Sequence, residues 1–242
     1  MNVKESFLVL ALLAEIIGTI GGFGSSVFFV PIGNFYFDFY TVLGLTAVFH
    51  LSSNVSKIFL FKKGINRFLL LYIGVPSVIF VILGGYLSKI IATTFLEVIL
   101  GVFLIALSLL FLVKRNLIIK PEKKQSILGG ALSGFTAGLL GTGGAIRGLT
   151  MAAFNLEKSV FIAASAFIDL MIDFSRTVVY YQNGYITYQE VKYIPFLFLI
   201  GLVGTFIGKK ILNYIPQERF KTISLILVLL IGIFTLLNFY IL

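Results

Sequence analysis

The segment Gly141-Thr142-Gly143-Gly144-Ala145-Ile146-Arg147 places three glycines within four residues and an arginine three positions beyond the last. Glycine costs about 1 kcal/mol relative to alanine inside a helix, so the cluster predicts a break. A helix that restarts after such a break presents unpaired N–H groups and the positive end of its dipole, and both attract anions. Arg147 falls in the first turn of the restarted piece. A cation there is unfavourable alone, and a bound anion would satisfy both. In a second reading, Arg147 pairs with a buried aspartate that holds the protein together; in a third, it snorkels to a surface. A similar cluster, Gly21-Gly22-Phe23-Gly24-Ser25-Ser26, carries two hydroxyls in place of the charge. The candidate substrate ligands are therefore Gly22, Gly24, Ser25, Ser26, Thr142, Gly143, Gly144 and Arg147, with Asn54 as a further hydrogen-bonding group.

Two polar stripes follow the clusters. His50, Ser53, Asn54 and Lys57 share one face of a helix, as do Asp169, Asp173 and Arg176, spaced four and three apart. Asp169 and Asp173 are candidates for a proton-coupling carboxylate, Asp169 the sharper of the two. Asp173 and Arg176 also fit a fixed internal salt bridge. His50 is the chain's one histidine, and imidazole ordinarily titrates near neutral pH. It is a third coupling candidate or a hydrogen-bonded packing residue. Glu15, the one charge in the first glycine-broken stretch, belongs to a proton route or to a seam remote from lipid. Lys57 is expected to snorkel.

The elements that hold these residues are membrane helices. Of 242 residues, 59% are hydrophobic and 12% are charged, against roughly a quarter charged in a soluble domain. Six stretches are long enough to span a bilayer: 41–61, 68–88, 93–113, 159–181, 193–212 and 221–241. The formal charge of +9 is read as loop lysines and arginines that set orientation, not as a nucleic-acid surface. With no cysteine and one histidine, thiolate and His-rich metal sites are excluded, and neither a catalytic centre nor a cofactor is expected. Gly141-Thr142-Gly143-Gly144 lacks the Gly-Lys-Ser/Thr of a nucleotide phosphate loop.

Residues 6–91 recur without a gap 120 positions later. Gly18, Gly21, Gly24, Gly64 and Gly84 meet Gly138, Gly141, Gly144, Gly184 and Gly204. The organisation expected is a first transmembrane repeat at 1–113, a basic linker at 114–125 and a second repeat at 126–242. Each glycine-broken stretch (6–33 and 126–155) is a kinked span or a re-entrant hairpin. If both are hairpins, thirteen basic residues, including Lys62, Lys63, Arg67, Lys114 and Arg115, fall on one side, and Lys4, Lys89 and Lys192 on the other. Plain spans weaken that split to ten against six. The positive-inside rule thus favours hairpins, three further spans per repeat, and inverted halves. Loop 114–124 is then cytoplasmic and both termini lie outside the cytoplasm. Irregular backbone in a bilayer needs cover from protein or water, so the two breaks should meet centrally. Gly84-x-x-x-Ser88 and Gly204-x-x-x-Gly208 read as small-residue helix contacts, and Tyr180, Tyr181 and Tyr185 as an interfacial belt.

These features together resemble the TauE/SafE-type sulfite exporter family. The resemblance rests on Gly21-Gly22-Phe23-Gly24 to Pro31, Thr46, Ser52-Ser53-Asn54, Lys62-Lys63-Gly64-Ile65-Asn66, and the second copy from Gly141-Thr142-Gly143-Gly144 to Asn183-Gly184-Tyr185-Ile186. It covers nearly the whole chain. It implies secondary transport of sulfite, sulfonates or related organosulfur anions across the cell membrane. Members are described with seven or eight spans, against the six spans and two hairpins read here. Phe23 and Ser25 interrupt the usual glycine run, Met151 stands where a proline is expected, and Arg147 lies outside the pattern. The function expected is a proton-coupled secondary transporter of a small anion, with the lipid bilayer, the anion and protons as partners. A passive anion channel of the same architecture is the alternative.

Overall fold

The computed structural model describes residues 3–22, 24–61, 66–113, 120, 122–154 and 156–241. Phe23, the Lys62–Ile65 part of the basic-glycine turn, residues 114–119 and 121 of the linker, and Asn155 lie outside them. The described residues are helical, with no strand among them. In the first half run α1 (Val3–Gly21), α2 (Ser26–Gly33), α3 (Phe39–Leu60), α4 (Arg67–Leu87, with a π turn at Leu70–Gly74) and α5 (Thr93–Val113). In the second run α6 (Lys123–Leu140), α7 (Gly144–Ala153), α8 (Lys158–Gln182), α9 (Ile194–Leu212) and α10 (Gln217–Ile241), with one extra turn at Tyr188–Val191.

The two glycine clusters do interrupt their helices. α1 stops at Gly21, with Gly22 and Gly24 at φ 80° and 90°; α6 stops at Leu140, with Gly141 at φ 74°. That left-handed backbone is open to glycine at little cost and strains most other residues. α2 has 8 residues and α7 has 10, so they rise only ~12 and ~15 Å, about half a bilayer core. Other starts are set by side-chain caps. Asp38 accepts from the Thr41 N–H at 3.1 Å to open α3, and Asn66 accepts from the Phe68 N–H at 3.0 Å to open α4.

α3, α4 and α9 are each long and apolar enough to cross a membrane. α8 is long enough, at 25 residues, but its middle carries Asp169, Asp173 and Arg176. The outward faces of α4 and α9 are apolar: Ile79, Leu83, Phe196, Leu199 and Phe206 are all exposed. A soluble protein would hide such faces, and a bilayer covers them. The chain is thus an all-α, multi-pass membrane protein.

Most of the helix pairing survives exchange of the two halves. α4 lies on α6 as α9 lies on α1; α3 meets α9 as α8 meets α4; α1 meets α10 as α6 meets α5. The pairs α3–α8, α5–α10 and α2–α7 map onto themselves. Glycines set the close approaches. A Cβ on Gly130, Gly134 or Gly138 of α6 would fall 2.3, 2.1 or 2.2 Å from the backbone oxygens of Ile73, Ser77 and Val81 in α4. This four-residue ladder is a small-residue contact that the Gly84 and Gly204 motifs alone did not reveal. Those motifs lie in the same two interfaces: a Cβ on Gly84 would fall 2.3 Å from the Phe135 oxygen, and one on Gly208 2.7 Å from Thr19 Cβ. The Ser77 hydroxyl also crosses to the Gly130 carbonyl at 2.9 Å.

The tyrosine belt is corrected. Tyr180 and Tyr185 are buried, and Tyr181 alone of the three is exposed. The Tyr180 hydroxyl donates to the Gly138 carbonyl at 2.7 Å, satisfying the frayed last turn of α6 just before its break.

Candidate functional site

α2 and α7, which follow the two breaks, touch each other. The Ser26 hydroxyl donates to Thr142 Oγ1 at 3.3 Å across the two halves. Behind them, α3 and α8 cross with their polar stripes facing inward. Three acid–base pairs result.

The first pair is Lys57 Nζ with Glu15 Oε1, at 2.9 Å, both buried. Glu15 is a hub. It also accepts from Ser53 at 2.6 Å, Thr205 at 2.9 Å and Thr19 at 3.1 Å, and from Ser25 in a short bond. Thr205 lies in the second half of the chain, so Glu15 sits at the seam between halves. The expectation that Lys57 snorkels is overturned: the carboxylate and the Ser53 hydroxyl, 2.7 Å away, hold its ammonium inside.

The second pair is Arg176 Nη2 with Asp173 Oδ1 at 2.7 Å, within one turn of α8. Asp173 Oδ2 accepts from Asn54 Nδ2 at 2.6 Å, which ties α8 to α3. Arg176 Nη1 donates to the Gly141 carbonyl at 2.6 Å and so pins the second break. His50 lies between the two pairs. Its Nε2 is 3.0 Å from Ser25 Oγ and its Nδ1 is 4.0 Å from Asp173 Oδ2. Ser25 gives its only proton to a carboxylate, which as such only accepts. Its oxygen therefore accepts from His50 Nε2–H, and Nδ1 faces Asp173.

The third pair is Arg147 with Asp169, joined by a short bond from Nη2 to Oδ2. Arg147 Nε donates to Ser165 at 3.0 Å. Its Nη1 is buried with no hydrogen-bond partner. The arginine is wholly inaccessible, while 13% of the Asp169 side chain is accessible. The first helical bond of α7 runs from the Arg147 N–H to the Gly143 carbonyl at 3.1 Å, so the amides just ahead of it have no intrahelical acceptor. Arg147 thus carries a guanidinium N–H without a partner on the first turn of a helix whose leading amides lack intrahelical acceptors. From the opposite side comes Gly24: a Cβ there would lie 3.7 Å from Asp169 Oδ2 and 4.0 Å from His50 Cε1.

The remaining sequence candidates frame this centre. Gly22 supplies the left-handed turn after α1, and Gly144 opens α7. Gly143 packs so tightly that a Cβ would fall 2.0 Å from the Ser133 oxygen, and its own carbonyl accepts from the Ser133 hydroxyl at 2.8 Å. Sequence reading missed Ser165, Thr205 and Ser133. Each is a lone hydroxyl in an apolar run, and only the fold shows what it meets. No group of three His, Cys, Asp or Glu side chains placed to hold a metal occurs among the described residues.

The arrangement defines a class: a polytopic helical membrane protein whose two glycine-broken helices meet over a buried, charge-paired centre. Residues 7–235 match the family described as sulfite exporter TauE/SafE. The chain belongs to that family. It is also 27% identical over 174 residues to a probable membrane transporter protein of Methanocaldococcus jannaschii. That match covers 64% of this chain and 65% of the archaeal protein.

Proposed function

We propose that the protein is a secondary transporter that carries a small anion (sulfite, a sulfonate or a related organosulfur anion) through a central site at the two helix breaks. The observation that carries this reading is Arg147 Nη1, a buried guanidinium N–H without a partner beside the first turn of α7. Buried polar groups are nearly always hydrogen-bonded, and an unmade bond there costs about 1–3 kcal/mol. An oxyanion would satisfy that N–H together with the α7 amides. Thr142, Ser26 and Asn54 are the neutral hydrogen-bonding groups of the proposed site, Ser25 being committed to Glu15 and His50, and Gly22, Gly24, Gly143 and Gly144 let the backbone approach.

The two halves, 1–113 and 126–242, act as inverted repeats joined by the basic linker, with the linker cytoplasmic, the termini outside and the bilayer that of the cell. The exchange-invariant helix pairing supports a two-fold relation between them. α2 and α7, each half a bilayer long, are the tips of re-entrant hairpins. Access alternates as one repeat rocks against the other. Protons couple through Asp169, with Asp173 and His50 behind it. Glu15, which meets five donors, serves as the anchor of the seam.

The test is reconstitution into vesicles with labelled sulfite, sulfoacetate, taurine and thiosulfate, with and without a pH gradient. Saturable movement of at least one of these anions, driven by the gradient, is expected. Failure to move any of them, or voltage-driven single-channel currents in a planar bilayer, overturns the reading.

A further inference from the structure

The centre is electrically balanced as it stands. Glu15, Asp169 and Asp173 each have one cation: Lys57, Arg147 and Arg176. An anion added to such a site leaves one uncompensated negative charge in a low-dielectric interior, so a proton must enter or a carboxylate must leave. The three carboxylates differ in how firmly they are held. Glu15 accepts from four hydroxyls besides its lysine and is wholly buried. Asp173 has Asn54 as well as Arg176, and is 2% accessible. Asp169 is bound to Arg147 alone among the described residues, and it is the one of the three with appreciable access.

Resting on the anion-site reading of Arg147, we infer that Asp169 is an internal stand-in for the substrate. It holds Arg147 in the empty protein, and the anion takes its place only as Asp169 takes up a proton. The guanidinium geometry supports the exchange. Nε is committed to Ser165, which leaves Nη1 and Nη2 as the end that an oxyanion can grip with two parallel bonds. Nη1 is free and Nη2 is on Asp169. An anion spanning both would lie beside the Asp169 carboxylate, and the two charges repel. Protonation turns that carboxylate from a competitor into a donor toward the anion. Anion and proton therefore bind together and travel in the same direction, which makes the protein a symporter.

The other charged or titratable groups facing Asp169 are Lys57 and His50 on α3, and Arg176 and Asp173 on α8 itself; Gly24, on the first break, brings none. Each of these keeps its own partner when Arg147 turns to the anion, and Asp169 alone loses one, so Asp169 is the group expected to titrate when the anion binds.

The experiment is isothermal titration of the detergent-solubilised full chain with methanesulfonate and with sulfate. Neither probe titrates between about pH 5 and pH 8, so protons taken up belong to the protein. Repeating the titration in two buffers of different ionisation enthalpy counts those protons. The wild-type protein should take up about one proton per anion, with affinity rising about tenfold for each pH unit of acidification while Asp169 titrates. Asp169→Asn, checked for fold by circular dichroism, should bind with little pH dependence, and at least ~10-fold tighter than wild type at the alkaline end. Binding by the wild-type protein with no proton uptake overturns the inference and leaves the anion site standing. So does an unchanged slope in Asp169→Asn. Binding of neither probe at any pH removes the anion site itself and the inference with it.

Discussion

Arg147 is the residue on which the site can be broken most cleanly. Truncation to alanine removes the free Nη1 and the Nη2 bond, and it also strands Asp169. Those two effects need separating. Breaking a buried ion pair by deleting one partner costs about 3–5 kcal/mol, because the remaining charge is uncompensated. Asp169 is 13% accessible, which places the expected loss at the lower end, ~3 kcal/mol. Arg147→Ala/Asp169→Asn deletes both charges and should recover most of that stability. Anion binding should not recover. Two charge-assisted bonds at about 1.5–3 kcal/mol each amount to ~3–6 kcal/mol, a loss of at least ~100-fold in affinity. Arg147→Lys keeps the charge but offers a point in place of a fork, so it should lose less, about tenfold. Thermal denaturation followed by circular dichroism measures the first effect, since the chain has no cysteine for a thiol-reactive dye. Binding by titration and uptake into vesicles measure the second. A double variant that binds the anion as tightly as wild type would falsify the assignment of Arg147 to the site.

Other substitutions probe the frame. Glu15→Gln leaves Lys57 buried without its carboxylate and should lower stability by ~3–5 kcal/mol; Glu15→Gln/Lys57→Met should return much of it, read as melting temperature. Gly134→Ala forces a methyl onto the Ser77 carbonyl, 2.1 Å from its Cβ position, and should cost about 1–3 kcal/mol by separating α4 from α6; unchanged melting would mean that the helices are not in backbone contact. Gly24→Ala meets no steric obstacle closer than 3.7 Å but must hold φ 90°, so it should cost ~1–2 kcal/mol from backbone alone. Tyr180→Phe removes the donor to Gly138 and should cost about 1–2 kcal/mol; hydrogen exchange at the end of α6 should rise, and unaltered exchange there would count against the capping role.

Much of this fold is visible in the chain because its signals are local. Glycine breaks depend on backbone entropy at a few positions, so α1 and α6 end where Gly21 and Gly141 say they should. Span positions depend on apolar run length, and α3, α4 and α9 follow them. The stripe on α8 is likewise a matter of spacing. Partner choice is not local. Three readings of Arg147 are open in the sequence, substrate ligand, structural pair or a snorkelling side chain; the fold buries it and pairs Nη2 with Asp169, leaving Nη1 without a partner. Lys57 could have reached for a headgroup; only the fold brings Glu15 within 2.9 Å. Tyr180 looks like an interfacial aromatic until the end of α6 is laid against it. Ser165, Thr205 and Ser133 carry no signal, because one hydroxyl in a helix most often bonds its own backbone.

The two halves share a skeleton but not a chemistry. Under the 120-residue offset, Arg147 corresponds to Val27, Asp169 to Phe49 and Glu15 to Phe135. Val27 and Phe49 are wholly buried and apolar. Had the duplication kept its charges in both copies, the centre would hold two guanidiniums on two helix starts, with like charges facing each other across α2 and α7. With the arginine in one half, the proposed anion site is single, and the other half brings small groups toward it: Ser26 bonds Thr142, and Gly24 lies against Asp169. The glycine breaks and helix pairings, which exchange requires in both halves, are the features held in common. The ions, of which one set suffices, are divided: Glu15, His50 and Lys57 in the first half, Arg147, Asp169, Asp173 and Arg176 in the second. The contacts Glu15–Thr205 and Asn54–Asp173 cross from one half to the other, so the rocking motion proposed above would break or remake bonds to these same charges. Under the proposed function, coupling between ion occupancy and conformation would follow from that division, because these bonds between the halves end on carboxylates of the same buried cluster.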